Sequence, residues 1–134
     1  MVKGHMFSVV LFSNKAGETF TDPGTSYVEW TTGGKTTLRT TIDFTQLKPK
    51  FVKVLVVAEG NESGSGKGIE IYDPANSQSI VAVTWSGTAL QCPAGSGWGS
   101  FTSELSRLLT VRVKGSSATE DITIYRVELQ IIYD

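Results

Sequence analysis

Asp121-Ile-Thr-Ile-Tyr-Arg-Val-Glu-Leu-Gln-Ile-Ile-Tyr133 is the longest apolar-periodic run in the chain. Tyr125, Val127, Leu129, Ile131 and Tyr133 fall on one face, and Arg126, Glu128 and Gln130 on the other. That alternation is the period of a strand with one face against a core. Ile122 and Ile124 are out of phase with the apolar set, and a β-bulge near Tyr125 restores the phase. The same period recurs upstream. Leu38, Thr40, Ile42 and Phe44 alternate with Arg39, Thr41 and Asp43. Ile69 and Ile71 alternate with Glu70 and Tyr72, and Leu109, Val111 and Val113 with Thr110, Arg112 and Lys114. Phe51 to Ala58 is apolar at nearly every position, which predicts a central strand covered on both faces.

Turn signals separate these runs: Asp22-Pro23-Gly24, Gly33-Gly34, Lys48-Pro49, the Gly60–Gly68 loop, Asp73-Pro74, Ser86-Gly87, Pro93 to Gly99, and Gly115-Ser116. Short strands at such spacing predict an all-β chain, a two-sheet antiparallel β-sandwich of about eight to ten strands. No window carries a clear helical stripe, and Ser103 to Leu109 is the nearest to one helical turn. The length of 134 residues suits a single domain. Residues 1–5 read either as tag-derived or as an N-terminal arm, with Gly4-His5-Met6 as an expression scar in the first case.

Composition narrows the function. Formal net charge is −1 with no basic cluster, so the electrostatic footprint of nucleic-acid binding is missing. No apolar run approaches the ~20 residues that a spanning helix needs, so membrane insertion is not expected. The apolar stretch Phe7 to Phe12 is too short for a secretory leader, which leaves either assembly inside a cell or a leader already removed. Cys92 is the single cysteine, so no intrachain disulfide forms, and it reads as a small buried hydrophobe beside Pro93. With His5 the lone histidine, a zinc site or a Ser-His-Asp triad lacks its parts. No catalytic residue is assigned, and an enzyme is not expected.

The succession of a central strand Phe51 to Gly60, a glycine-rich loop, Gly68-Ile-Glu-Ile-Tyr-Asp73, Ile80 to Trp85, Leu108 to Lys114 and the closing Ile122 to Tyr133 resembles the jelly-roll sandwiches of the galactose-binding-like and carbohydrate-binding-module type. Similar jelly rolls recur in virion surface and filament proteins. The resemblance lies in strand rhythm and implies no particular ligand residue.

Several residues stand out as candidate sites. Gly60-Asn-Glu-Ser-Gly-Ser-Gly-Lys-Gly68 suggests a phosphate loop. However, Asn61 occupies the first glycine position, Gly68 replaces the Mg²⁺-binding hydroxyl, and a strand follows where a helix is needed. A mobile hairpin connection is the better reading. Asn61-Glu62-Ser63 has the form of a glycosylation acceptor. Glu59, Asn61, Glu62 and Asp73 form an oxygen-rich set that could hold calcium, the one cofactor considered. Glu70, alternating with core isoleucines, faces water. Trp30 and Trp85 share phase with core valines. Trp98, flanked by Gly97 and Gly99, is a candidate glycan platform, and Tyr72 could join it. Phe7, Val9 and Leu11 on one face, with Val10 and Phe12 on the other, make an N-terminal strand apolar on both sides. It belongs either inside its own sandwich or against a neighbouring subunit, as an assembly strand. Two expectations result. The first is a non-catalytic structural or adhesive module, located extracellularly or on a virion surface, that forms homo-oligomers or docks on a larger assembly. The alternative is a carbohydrate-binding module whose partner is a glycan.

Overall fold

The computed structural model describes residues 5–30, 39–45, 48–93, 98–103 and 105–133. The Gly33-Gly34 turn, Leu38, and Gly97 beside Trp98 lie outside these residues, as do residues 1–4. Nine strands are described: β1 (His5–Phe20), β2 (Val28–Glu29), β3 (Arg39–Asp43), β4 (Pro49–Gly60), β5 (Ser65–Asp73), β6 (Gln78–Ser86), β7 (Gly99–Ser100), β8 (Ser106–Lys114) and β9 (Ile122–Tyr133).

They form two sheets with every pairing antiparallel. The first runs β1-β9-β4-β7. The second runs β2-β8-β5-β6, with β3 also paired to β8. β2 meets Arg112 and Val113, while β3 meets Ser106 to Thr110, so the two fill one strand position beside β8. The pairings are nested: β1 with β9, β2 and β3 with β8, β4 with β7, and β5 with β6. A long hairpin with its tip at β5–β6 has rolled up, and β4–β9 and β5–β8 contacts close the roll. This is the jelly-roll arrangement of two Greek keys.

Alternation built the core as the sequence implied. Val52, Val54, Val56 and Ala58 of β4 and Val127, Leu129 and Ile131 of β9 face Ile69, Ile71, Leu109, Val111 and Val113 of the second sheet, and all are buried. Each such side chain contributes about 1.5–3 kcal/mol when fully buried. Aromatic edges close the core: Phe20 on Trp30 at 4.5 Å, Phe12 on Trp30 at 4.8 Å, and Phe44 on Phe101 at 5.3 Å. Trp85 is buried with them.

The bulge in β9 is real. Val57 pairs with Arg126 and Ala58 with Ile124, so Tyr125 is the extra residue. Ile122 and Ile124 therefore share the core face with Val127, Leu129 and Ile131. Tyr125 leaves that face, and its hydroxyl donates to Glu59 Oε1 at 2.6 Å.

Four expectations change. β4 is central in its sheet, but only one of its faces is covered: Phe51, Lys53, Leu55 and Val57 alternate outward and remain partly exposed. Cys92 is exposed while its neighbour Pro93 is buried. Ser106 to Leu109 is strand, not a helical turn. Glu70 does face outward, yet it is buried beneath neighbouring side chains.

Candidate functional site

Paired residues of an antiparallel ladder share a face, so the register places each outward side chain. On the first sheet Met6 opposes Ile132, and Ile132 opposes Phe51. That row crosses three strands and is apolar throughout. Met6 is 61% exposed and Phe51 38%. The next row, Ser8, Gln130 and Lys53, is polar, and Lys53 Nζ stands 5.9 Å from the centroid of the Trp98 ring. The third row holds Val10, Glu128 and Leu55. With Trp98 at 40% and Val10 at 47% exposure, this outer face is an apolar field interrupted by a few polar groups. Exposed apolar surface that crosses strands in this way marks interaction sites.

The field ends at β1, an edge strand. Among the described residues no strand lies beyond it. Its second half is irregular, with register shifts between Val10 and Phe12 and between Ser13 and Glu18. Its first half, His5 to Val10, is in unbroken register and contains no Asp, Glu, Lys, Arg or Pro. Bulges, charges and prolines are how sheet edges discourage pairing, and the first half has none of them. The proposed assembly residues divide here. Val9, Leu11 and Phe12 pack against the chain's own core, whereas Val10 and Phe7 stay exposed. Phe7 opposes the buried Ile131, so it points to the core side, yet it is 38% exposed.

Trp98 and Tyr72 do not come together. Trp98 flanks β7 of the first sheet, and Tyr72 is on β5 of the second. The Arg112 guanidinium lies 4.2 Å over the Tyr72 ring, and Arg112 also pairs with Glu70 at 3.3 Å. Tyr27 lies on this second face over Gly68, its hydroxyl 2.5 Å from where a Cβ would stand, with Lys114 4.7 Å above its ring. Burial, and then the charge of Glu70, push the Tyr27 phenol up to about 12. Phe51 is a ring that does share the face of Trp98. Strand phase alone could not reveal this, because both faces of β4 are apolar.

The oxygen-rich set is also divided. Asn61 Oδ1 accepts the Asp121 amide, Glu62 accepts the hydroxyls of Ser117 and Thr119, and Glu59 accepts Tyr125. Asp73 sits at the far end of β5, about 26 Å along the strand by its rise per residue. There it accepts the Asn76 side chain and the amides of Ala75 and Asn76, and meets Arg107 at 2.7 Å. Among the described residues no three His, Cys, Asp or Glu side chains gather where they could share a metal.

The glycine-rich loop is stapled, contrary to the expectation of a mobile connection. Lys67 is fully buried. Its ammonium meets Glu120 Oε2 at 2.9 Å, also fully buried, and donates to the Gly64 carbonyl at 2.6 Å. Glu120 further accepts the Ser116 amide and hydroxyl, each at 2.7 Å, and the Glu62 amide at 3.1 Å. Gly60 makes room: a Cβ there would stand 2.5 Å from Lys67 Cε. The lysine that suggested a phosphate loop is thus consumed by an internal carboxylate.

These carboxylates set a pH dependence. Burial raises the pKa of Glu120, but donors from Ser116, Lys67 and Glu62 outweigh it and hold the carboxyl below the ordinary glutamate range. For Asp73, burial is likewise outweighed by Asn76 and Arg107. Both folded values lie below the unfolded ones. The stabilisation is therefore complete above about pH 4.5 and is lost as pH falls through the folded values. Urea midpoints should be level from about pH 5 to 7 and fall below about pH 4. Glu120→Gln should flatten the fall, and a decline that starts near neutrality would contradict this assignment.

Neither a protein-family model nor a curated protein sequence matches the chain. Among solved structures, a carbohydrate-binding module, CBM36, in complex with calcium and xylotriose matches at 7% identity and TM-score 0.46, covering 91% of this chain and 97% of that one. The CBM36-1 domain of a multidomain xylanase from the hindgut metagenome of Trinervitermes trinervoides matches at 6% identity and TM-score 0.48, with 93% and 96% covered. The VP2 subviral particle of infectious bursal disease virus matches at 10% identity and TM-score 0.43, over 98% of this chain and 33% of that one. These likenesses concern overall architecture alone.

Proposed function

We propose that this chain is a non-catalytic structural module that associates, with its own copies or with a larger assembly, through the outer face of the first sheet and the free edge of β1. Such a module acts outside a cell or on a virion surface. The observation that carries the reading is the three-strand apolar row Met6, Ile132 and Phe51 on the outer face, next to the His5–Val10 half of the β1 edge, which has no charge, proline or bulge. Titratable groups elsewhere are committed to structure: Lys67 to Glu120, Asp73 to Arg107, and Glu70 to Arg112.

Light scattering over a concentration series tests it. The wild type should gain mass with concentration. Val10→Lys together with Phe51→Lys should remain monomeric over a range at least tenfold higher, with unchanged circular dichroism. Both positions point away from the core, so the fold should tolerate them. A wild type that remains monomeric at every concentration would remove self-association.

A second reading has one observation in its favour. Trp98 and Phe51 are exposed rings on one face, and rings of that kind stack on the apolar faces of sugars. If glycan arrays give a hit that Trp98→Ala abolishes while Val10→Lys leaves it intact, the chain is a carbohydrate-binding module instead.

A further inference from the structure

Resting on the association proposed above, we infer that the partner at the β1 edge is a second copy of this chain. The two β1 strands pair antiparallel about a two-fold axis at Ser8. An open strand edge accepts another strand, because only a strand satisfies its row of unpaired amides and carbonyls. The segment His5 to Val10 matches itself. In an antiparallel pair about a two-fold axis, facing residue numbers have a constant sum, and that sum must be even if both faces of the combined sheet are to stay continuous.

With the axis at Ser8, Met6 faces Val10 of the second copy on the outer side, Ser8 faces itself, and Phe7 faces Val9 on the core side. Each contact is apolar against apolar or hydroxyl against hydroxyl, and no charge confronts its own copy. Moving the axis to Phe7 sets Met6 against Ser8 and His5 against Val9. Moving it to Val9 sets Ser8 against Val10 and Phe7 against Leu11, which falls at a register shift. The Ser8 axis matches chemistry at every position from Met6 to Val10, and His5 would face Leu11 only at the register shift where the regular ladder ends.

This pairing also accounts for Phe7. It points to the core side but is exposed because, among the described residues, no strand lies beyond β1. Val9 of the second copy would complete its cover. The outer apolar rows would then run on from one copy into the next through Met6 and Val10. The other long edge strand, β6, is different: Ile80, Val81, Val83 and Trp85 are all buried, so it offers backbone without exposed apolar side chains.

Single-cysteine cross-linking tests the register. In a Cys92→Ser background, Ser8→Cys places two thiols across the axis, where facing Cα atoms are about 4.5–5.5 Å apart and within disulfide range. Ser8→Cys should give covalent dimer under mild oxidation at least tenfold faster than Met6→Cys, Phe7→Cys or Val10→Cys. Light scattering on the same variants gives the mass before oxidation. If dimers form but Phe7→Cys or Val9→Cys cross-links fastest, the register is overturned and association stands. If association is present and none of the β1 cysteines cross-links, a second copy at this edge is overturned. If every variant and the Cys92→Ser parent are monomeric, both this inference and self-association fall.

Discussion

Glu120→Leu is expected to destabilise the fold by about 3–5 kcal/mol, the cost of leaving one member of a buried ion pair alone. Lys67 would keep its ammonium in a fully buried position with the Gly64 carbonyl as its remaining acceptor. The amides of Ser116 and Glu62 would lose their acceptor in the same step. Lys67→Met should cost less, about 1–3 kcal/mol, because the carboxylate would keep three donors. In the double variant the stranded ammonium is gone but the two amides remain unsatisfied. It should therefore be more stable than Glu120→Leu alone and less stable than the wild type, the non-additivity expected of residues in one network. Urea denaturation below the association concentration measures all three. Additive costs would show that the two side chains do not form a pair.

Phe20→Ala should cost a further large amount, about 3–5 kcal/mol, the range for removing a buried aromatic ring from a packed core. Phe20 is the last residue of β1, fully buried, and meets the Trp30 indole edge-on at 4.5 Å. Trp30 in turn contacts Phe12, so one ring joins both ends of the irregular half of β1 to the second sheet. Phe20→Leu refills part of the volume and should lose roughly half as much. If Phe20→Ala loses less than about 1 kcal/mol, the β1 segment is not integrated into the core as the geometry requires.

The part of this architecture that could be read from the chain is the part encoded by neighbours. The break in phase at Tyr125 announced the β9 bulge because an alternating run reveals its own interruption. Asp73-Pro74 announced a turn, and Asp73 accepts the Ala75 and Asn76 amides there. What could not be read depends on residues distant in sequence. Lys67 sat in a glycine-rich stretch that looked loose because its partner Glu120 belongs to another turn. The chemistry of Cys92 predicts a core position, whereas the structure leaves it exposed beside the buried Pro93. In β4 both faces are apolar, so alternation could not say which one meets the core. Register against β9 decides it and sends Phe51 outward.

The same distinction applies to the candidate site. Phe7 to Phe12 could be recognised as apolar on both sides, but not how it divides. Phe12 packs on Trp30 and Val9 on the core, while Met6, Phe7 and Val10 stay exposed. Trp98 could be recognised as a loop ring between glycines. Its neighbour Lys53, and Phe51 on the same face, could be identified only through the β4–β7 pairing.

Amide hydrogen exchange across a dilution series is the most direct test of association through β1. The account predicts that the amides of residues 6–10 that face away from β9 gain protection as concentration rises, while those of β5 and β8 in the core remain unchanged. Exchange at residues 6–10 that is the same at every concentration, in samples whose mass does increase, would contradict it and move the interface elsewhere.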